Sequence, residues 1–310
     1  MTDSNCAILV PEIQRRDYFR QLYMGSHKDH GPILRPQNMA SHKAQAYLLN
    51  HMANDRTADT ARDLTVETTS EPLNLRWHSS STSKLGFVRA VNEDALLDAR
   101  EQNLWVVADG MGGHSYGDEA SRAIIDHLLS FRAREDLNDN IEDLKTRLSQ
   151  AHEQCRTHAN GQLMGSTVAA LFVHDPYCFF LWAGDSRIYR YRQNKLEQMT
   201  EDHSLVQGLV SIGELQKEDM DKHPSSHIIT RAVGVHNDLD LELRHNEIQA
   251  GDRYLVCSDG LYKDVTENEI SERMGYATVE DSLDSLIDLA LERGGTDNTT
   301  AIVIQAGMPA

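Results

Sequence analysis

Six apolar runs limit what this chain can fold into: NLWVVA (103–108), STVAALFV (166–173), YCFFLWA (177–183), RIYRYR (187–192), RYLVCS (253–258) and TTAIVIQ (299–305). They are short, rich in β-branched and aromatic residues, and bounded by Gly, Asp or Asn, so they read as strands. Most are apolar almost without interruption rather than in alternation. A strand of that kind needs cover on both faces. The chain must therefore supply layers on either side of its sheets.

The cover is visible between the runs. DEASRAIIDHLLSF (118–131) repeats Ala120, Ile124, Leu128 and Phe131 at helical spacing. DSLDSLIDLALERGG (281–295) repeats Leu283, Ile287 and Leu291, then stops at glycine. VTENEI (265–270) predicts a helix start with a Thr266–Glu269 capping box and a Val265–Ile270 hydrophobic staple. The strands group as hairpins more than as strict strand–helix alternation. That favours an α+β fold with antiparallel sheets covered by helices. No internal repeat is present.

The β-rich pattern begins at Leu75. Residues 1–74 have another texture and are read as an extension and linker. Two stretches there have an apolar helical face. One is 14–24, with Tyr18, Phe19, Leu22 and Tyr23. The other is 41–52, with Ala44, Tyr47, Leu48 and Met52 behind a Ser41 N-cap. The Thr- and Asp-rich stretch 57–71 reads as linker. The extension is expected to be loosely ordered, with a docking segment as the alternative.

The 310 residues carry a net charge of −18. Repulsion from a polyanion argues against nucleic acid as a partner. The excess is uneven: residues 1–74 hold nine Asp/Glu against eight Lys/Arg, leaving 39 against 22 in the remainder. Cys6, Cys155, Cys178 and Cys257 form no CxxC pair, and Cys178 and Cys257 lie in apolar runs, as core thiols of a reducing compartment do. The N-terminus lacks the pattern of a signal peptide, and no apolar run reaches the roughly 18 residues of a membrane helix. A soluble, cytoplasmic, monomeric protein is expected.

The acid has a pattern. VVADG places Asp109 at the end of one run, LWAGDSR places Asp185 after another, LVCSDG places Asp259 after a third, and GGTDNTT sets Asp297 before the last. Upstream, GFVRAVNEDA brings Arg89, Glu93 and Asp94. Asp-Gly at a strand end is ordinary turn chemistry when it occurs once. Ionised carboxylates gathered at one end of a core repel and lose hydration unless cations hold them. All-oxygen ligands favour hard ions, Mg²⁺ or Mn²⁺, over zinc.

RAVNEDA, ADGMGGHSYGDEAS, GST, AGDSR, ITRAVG, CSDG and GGTDNTT occur in the order found in the metal-dependent PPM family, the type 2C serine/threonine protein phosphatases. Residues 77–305 resemble its short bacterial members. The resemblance implies two stacked antiparallel β-sheets flanked by α-helices, with metals in a cleft at one end, in a domain spanning 75–307. It implies that Asp109 bridges two ions, Mn²⁺ or Mg²⁺, and that the Gly110 carbonyl ligates one. Asp259 and Asp297 would hold the other, and Glu93 and Asp94 would hold their waters. Asp185 with Asp259 would bind a third, weaker ion. Arg89 would grip the substrate phosphate, and Asn298 would orient the ligand beside it. Water acidified by two cations would attack phosphorus in line. Many eukaryotic members place a histidine acid where Met111 stands; here a metal-bound water or His114 would protonate the leaving group. Residues 201–234 would form a flap, with His223 and His227 solvent-exposed.

That resemblance implies a protein phosphatase acting on phosphoproteins against a cognate Ser/Thr kinase, with type VI secretion as one setting. The alternatives are a small phosphate-ester hydrolase and a catalytically silent binding protein of the same fold. GMGGHSYG does not fit G-x-G-x-x-G, and no Walker, HExxH or G-x-S-x-G motif occurs, which excludes those nucleotide and hydrolase classes.

Overall fold

The computed structural model describes residues 73–111, 116–159 and 163–309. The helical faces expected at 14–24 and 41–52, the 57–71 linker, Cys6 and His114 lie outside these residues. Eleven strands form among those described: β1 (Leu75–Lys84), β2 (Asp94–Ala99), β3 (Leu104–Met111), β4 (Gly165–Ser166), β5 (Val168–His174), β6 (Tyr177–Ala183), β7 (Arg187–Arg192), β8 (Lys195–Gln198), β9 (Glu242–Glu247), β10 (Arg253–Cys257) and β11 (Thr299–Pro309). Six α-helices accompany them: α1 (Tyr116–Leu129), α2 (Leu137–His158), α3 (Leu205–Ser211), α4 (Asp259–Tyr262), α5 (Glu267–Met274) and α6 (Val279–Glu292).

One sheet runs β1-β11-β10-β7-β8 and the other β2-β3-β5-β6-β9, with β4 attached to β3. The strand pairs in both sheets are antiparallel. Between the sheets, Trp105, Val107, Leu171, Phe180 and Trp182 meet Ile188, Tyr254, Val256, Ile302 and Ile304. The alternate residues of the same strands face outward. Leu104, Val106, Ala170, Phe172 and Leu181 pack under α1 and α2 through Ile124, Leu128, Ile141, Leu144 and Leu148. Tyr189, Leu255, Cys257 and Val303 pack under α5 and α6 through Ile270, Leu283, Leu286 and Ile287. The result is four layers, helix–sheet–sheet–helix, which is why the strands read as unbroken apolar runs.

The capping box at Thr266 and Glu269 is present, and Val265 and Ile270 are both buried beneath it. Several boundaries differ from the expected ones. The STVAALFV run is split at Thr167 into β4 and β5. α1 ends at Leu129, and Phe131 is buried beyond it, with its N–H on the Leu128 carbonyl at 2.9 Å. Strand β3 continues through Asp109 and Gly110 to Met111, so Asp109 stands inside the strand rather than after it. The longest helix, α2, is absent from the expected elements. Its buried Ile141, Leu144, Leu148, Ala151 and Cys155 are spaced at three and four, but charged residues surround that narrow stripe.

The 201–234 segment is closed at its base. His203 donates its N–H to the Gly184 carbonyl at 2.9 Å, and Thr230 donates to the His203 carbonyl at 2.8 Å. Isolated bridges join Ser204 to Ile229 and Ser166 to Val233. Ser204 caps α3. Cys155, Cys178 and Cys257 are free and buried. No helix among the described residues is long and apolar enough to cross a membrane.

Thr266→Ala removes the hydroxyl half of the capping box, keeps the Thr266 N–H bond to Glu269, and leaves the α5 core contacts intact. It is expected to lower unfolding free energy by about 1 kcal/mol, read as a reduced urea midpoint at unchanged slope.

Candidate active site

The inter-sheet face of β3 runs Trp105, Val107, and then Asp109. Across the ladder Asp109 pairs with Asp94, the first residue of β2. Directly opposed residues share a face, so the two carboxyl groups lie side by side at the end of the inter-sheet layer. Ser258, just after β10 in the other sheet, donates its hydroxyl to Asp94 Oδ2 at 2.8 Å. This bond ties the two sheets at the site. Asp259 follows and opens α4, Asp185 sits in the β6–β7 turn, and Asp297 precedes β11 by two residues. The structure brings Asp94, Asp109, Asp185, Asp259 and Asp297 together, close enough for the other four to act electrostatically on Asp109.

A polar frame holds them. Thr167 donates its hydroxyl or accepts through Oγ1 as its partners require: it accepts from the Asp109 N–H at 3.1 Å and lies 2.7 Å from Ser186 Oγ. Ser166 Oγ donates to the Asp109 carbonyl at 3.0 Å. Asn298, 4% exposed, accepts from the Glu93 N–H at 2.8 Å and donates to the Leu85 and Val91 carbonyls at 2.9 and 3.2 Å. It therefore clamps the 85–93 loop that carries Arg89. The Gly110 N–H reaches the Glu93 carbonyl at 3.0 Å. A Cβ on Gly110 would meet the Gly117 carbonyl oxygen at 2.0 Å, and one on Gly117 would meet Glu93 Oε1 at 2.4 Å. The bare backbone lets Glu93 and the start of α1 close over the strand end.

Burial dominates the electrostatics. It raises the Asp94 carboxyl to about 7, with Asp259 and Asp297 adding repulsion against the hydrogen bonds from Thr300 and Ser258. Burial and then Asp94, Asp259 and Asp185 hold Asp109 well above the usual carboxylate range. Asp185 is likewise raised to about 7 by burial and by Asp259. Glu93 is raised by burial, against the attraction of Arg89. Asp259 is the exception: burial opposes its ionisation, but the Lys263 ammonium, with Asp109 and Arg89, outweighs that and lowers it. Two cations face this acid. Arg89 meets Asp297 Oδ2 at 2.7 Å, and Lys263 pairs with Asp259 Oδ2.

The donors fit a hard divalent cation. They are all oxygen, they crowd against their own charge, and Asp94 Oδ1 is buried without a hydrogen-bond partner. Arg89 and Lys263 stand on two of the carboxylates, and no three His, Cys, Asp or Glu side chains among the described residues form a ready coordination group.

Lys263 and Ser258 were not among the residues singled out from the sequence. Ser258 had a signal, its place beside Asp259 in CSDG, whereas the Lys263 contact requires Asp259 to begin a helix. Asp118 joins them: its Oδ1 is buried and unpartnered, and its charge raises Glu93.

Between the usual 3.8 and about 7, the folded chain holds protons on Asp94 and Asp185 that the unfolded chain has released. Stability therefore falls as pH rises through that window. Metal-stripped protein is expected to lose urea resistance across it, and Asp94→Asn to flatten the slope and gain stability above it. A midpoint independent of pH, unchanged by Asp94→Asn, would contradict this electrostatic account.

Comparison with known proteins agrees with the geometry. The family model of protein phosphatase 2C matches residues 88–293. The serine/threonine protein phosphatase PstP of Mycobacterium tuberculosis is 35% identical over 228 residues, covering 72% of this chain and 44% of PstP. The chain thus spans less than half the length of that relative. PppA, described as a key regulatory component of T6SS in Pseudomonas aeruginosa, superposes with a TM-score of 0.69 at 42% identity, covering 74% of this chain and 97% of PppA. The PstP catalytic domain in complex with two manganese ions superposes at 0.68 with 33% identity, covering 75% and 99%. The chain belongs to the protein phosphatase 2C family.

Proposed function

We propose that this chain is a metal-dependent protein phosphatase that hydrolyses phosphoserine and phosphothreonine in other proteins. The observation that carries the reading is the Asp94–Asp109–Asp185–Asp259 cluster at the sheet ends, with Asp185 buried and the others half-buried, and with the partly exposed Arg89 at its edge. Asp109 with the Gly110 carbonyl, and Asp259 with Asp297, would hold two Mn²⁺ or Mg²⁺ ions. Glu93 and Asp94 would orient water beside them, and Asp185 with Asp259 would offer a weaker third place. Such ions supply Lewis acidity, easing proton loss from water and offsetting phosphoryl charge.

The side chains do the positioning. Arg89 can exchange its Asp297 contact for two phosphate oxygens, which its planar fork matches. Asn298 fixes the loop on which Arg89 rides. Asp109 is anchored through its own backbone by Ser166 and Thr167, so its carboxyl is held without being used up. The leaving alkoxide needs a proton, from water or from His114 in the glycine-rich stretch of the sequence.

The catalytic unit is proposed to span 75–307, with 201–234 as a flap beside the cleft and 1–74 as an accessory extension. The likeness to PppA supports a role in type VI secretion, opposing a Ser/Thr kinase. The three buried free thiols support a cytoplasmic setting. A monomer suffices, because all the named residues belong to one chain.

Metal-stripped protein is expected to release phosphate from a phosphothreonine peptide only on addition of Mn²⁺ or Mg²⁺, and Asp259→Asn to lose that response. Asp109→Ala should abolish turnover while the fold persists, since it also relieves repulsion; full activity in a folded Asp109→Ala protein would sink the assignment. Arg89→Ala should chiefly raise KM for phosphoprotein. An effect confined to thermal stability would make Arg89 structural.

A further inference from the structure

The Asp185–Asp259 pair has a cation of its own. Lys263 follows α4 directly, and its N–H closes the turn on the Asp259 carbonyl at 3.0 Å. That i,i+4 spacing sets the Lys263 ammonium on Asp259 Oδ2. Asp185 belongs to the same corner. Tyr262, the neighbour of Lys263, donates its hydroxyl to the Asp185 carbonyl at 3.0 Å. Asp185 is 5% exposed, and its carboxylate accepts no hydrogen bond among the described residues. The nearby arginine is committed elsewhere: Arg187 grips Asp202 at 2.7 Å and lies 3.6 Å over the Tyr262 ring. Lys263 is therefore ion-paired with Asp259, and its charge also attracts that of Asp185 in the same corner. Its side chain is 44% exposed, so the flexible stem can hold the ammonium there or withdraw it to water.

We propose that Lys263 is a built-in cation of the Asp185–Asp259 pair, occupying the place of an additional divalent ion and limiting the site to two. The proposal rests on the two-ion reading above. A protonated lysine has donors but no lone pair, so it cannot serve as a ligand. An incoming divalent ion must share both carboxylates with it, against like-charge repulsion in a buried corner, or displace it. The chain thereby offsets part of the corner's negative charge without recruiting metal, and its two-ion state does not depend on a weak third ion.

Mn²⁺ binding to the metal-stripped, full-length protein tests this, by calorimetric titration with electron paramagnetic resonance to count free ion. Wild type is expected to take up two ions, the number in the PstP catalytic domain. Lys263→Gln should take up one more, or bind its weakest ion about tenfold or more tighter. Lys263→Arg should keep the wild-type isotherm. Asp185→Asn added to Lys263→Gln should cancel the gain. Superimposable wild-type and Lys263→Gln isotherms overturn the proposal, as does a gain that survives Asp185→Asn. Near-UV circular dichroism checks each fold, with Lys263→Met replacing any Gln variant that fails to fold. Wild type that binds no Mn²⁺ overturns the two-ion reading itself, and the proposal with it, and is told apart because the failure appears before any substitution.

Discussion

Placing like charges side by side at the end of a buried layer is the constraint on which the site depends. Asp94 and Asp109 oppose each other where β3 arrives from the core through Trp105 and Val107 and β2 sets out toward it through Leu96. No rotamer can separate them far, because the register fixes their backbones. The surroundings respond with directed donors: Ser258 on Asp94, and Thr167 and Ser166 on the Asp109 main chain. What they do not supply is enough positive charge. Burial therefore leaves Asp94, Asp109 and Asp185 reluctant to ionise. A site built this way binds a dication by releasing its own strain along with any protons it still holds.

The four-layer architecture makes that placement possible. Both faces of the central strands are covered, so little water reaches the layer from the sides. Carboxylates can approach one another only where the strands run out. The β6–β7 turn crosses from one sheet to the other and delivers Asp185, while β10 and β11 deliver Asp259 and Asp297 from the second sheet. Residues from both sheets thus meet at one end, and the Ser258–Asp94 hydrogen bond fixes their relative position. Rigid strands set the carboxylates, whereas Arg89 comes from a loop that Asn298 clamps.

Much of this was legible in the sequence because two strong signals coincide. Doubly covered strands read as apolar runs, and the charges that end them stand out. Elements whose stabilisation comes from tertiary contact were not legible. α2 has a narrow stripe among charges, and β9 (ELRHNE) is an edge strand whose pattern reads as loop. β1 shows the same limit: LRWHSSSTSK alternates weakly, yet it pairs along nearly all of β11. Within the site, the position of Asp109 inside β3 depends on the ladder with β2, and Lys263 on the turn that begins at Asp259. Both are consequences of packing rather than of local preference.

The two cations at the site differ in kind, and the difference matches their positions. Arg89 stands at the edge on a loop, its guanidinium bound to Asp297 through one nitrogen. The other donors of the fork remain for a planar or tetrahedral oxyanion, so the same side chain can exchange a carboxylate for a phosphate. Lys263 is a point charge on a helical turn, placed by i,i+4 spacing over Asp259 and facing Asp185. It has no geometric preference to offer a phosphate, but it neutralises a corner well. An ammonium at the edge would lose the planar fork that suits an oxyanion. Under the proposed function, the arginine would serve recognition and the lysine would offset charge, with the remaining carboxylates left for ions from solution.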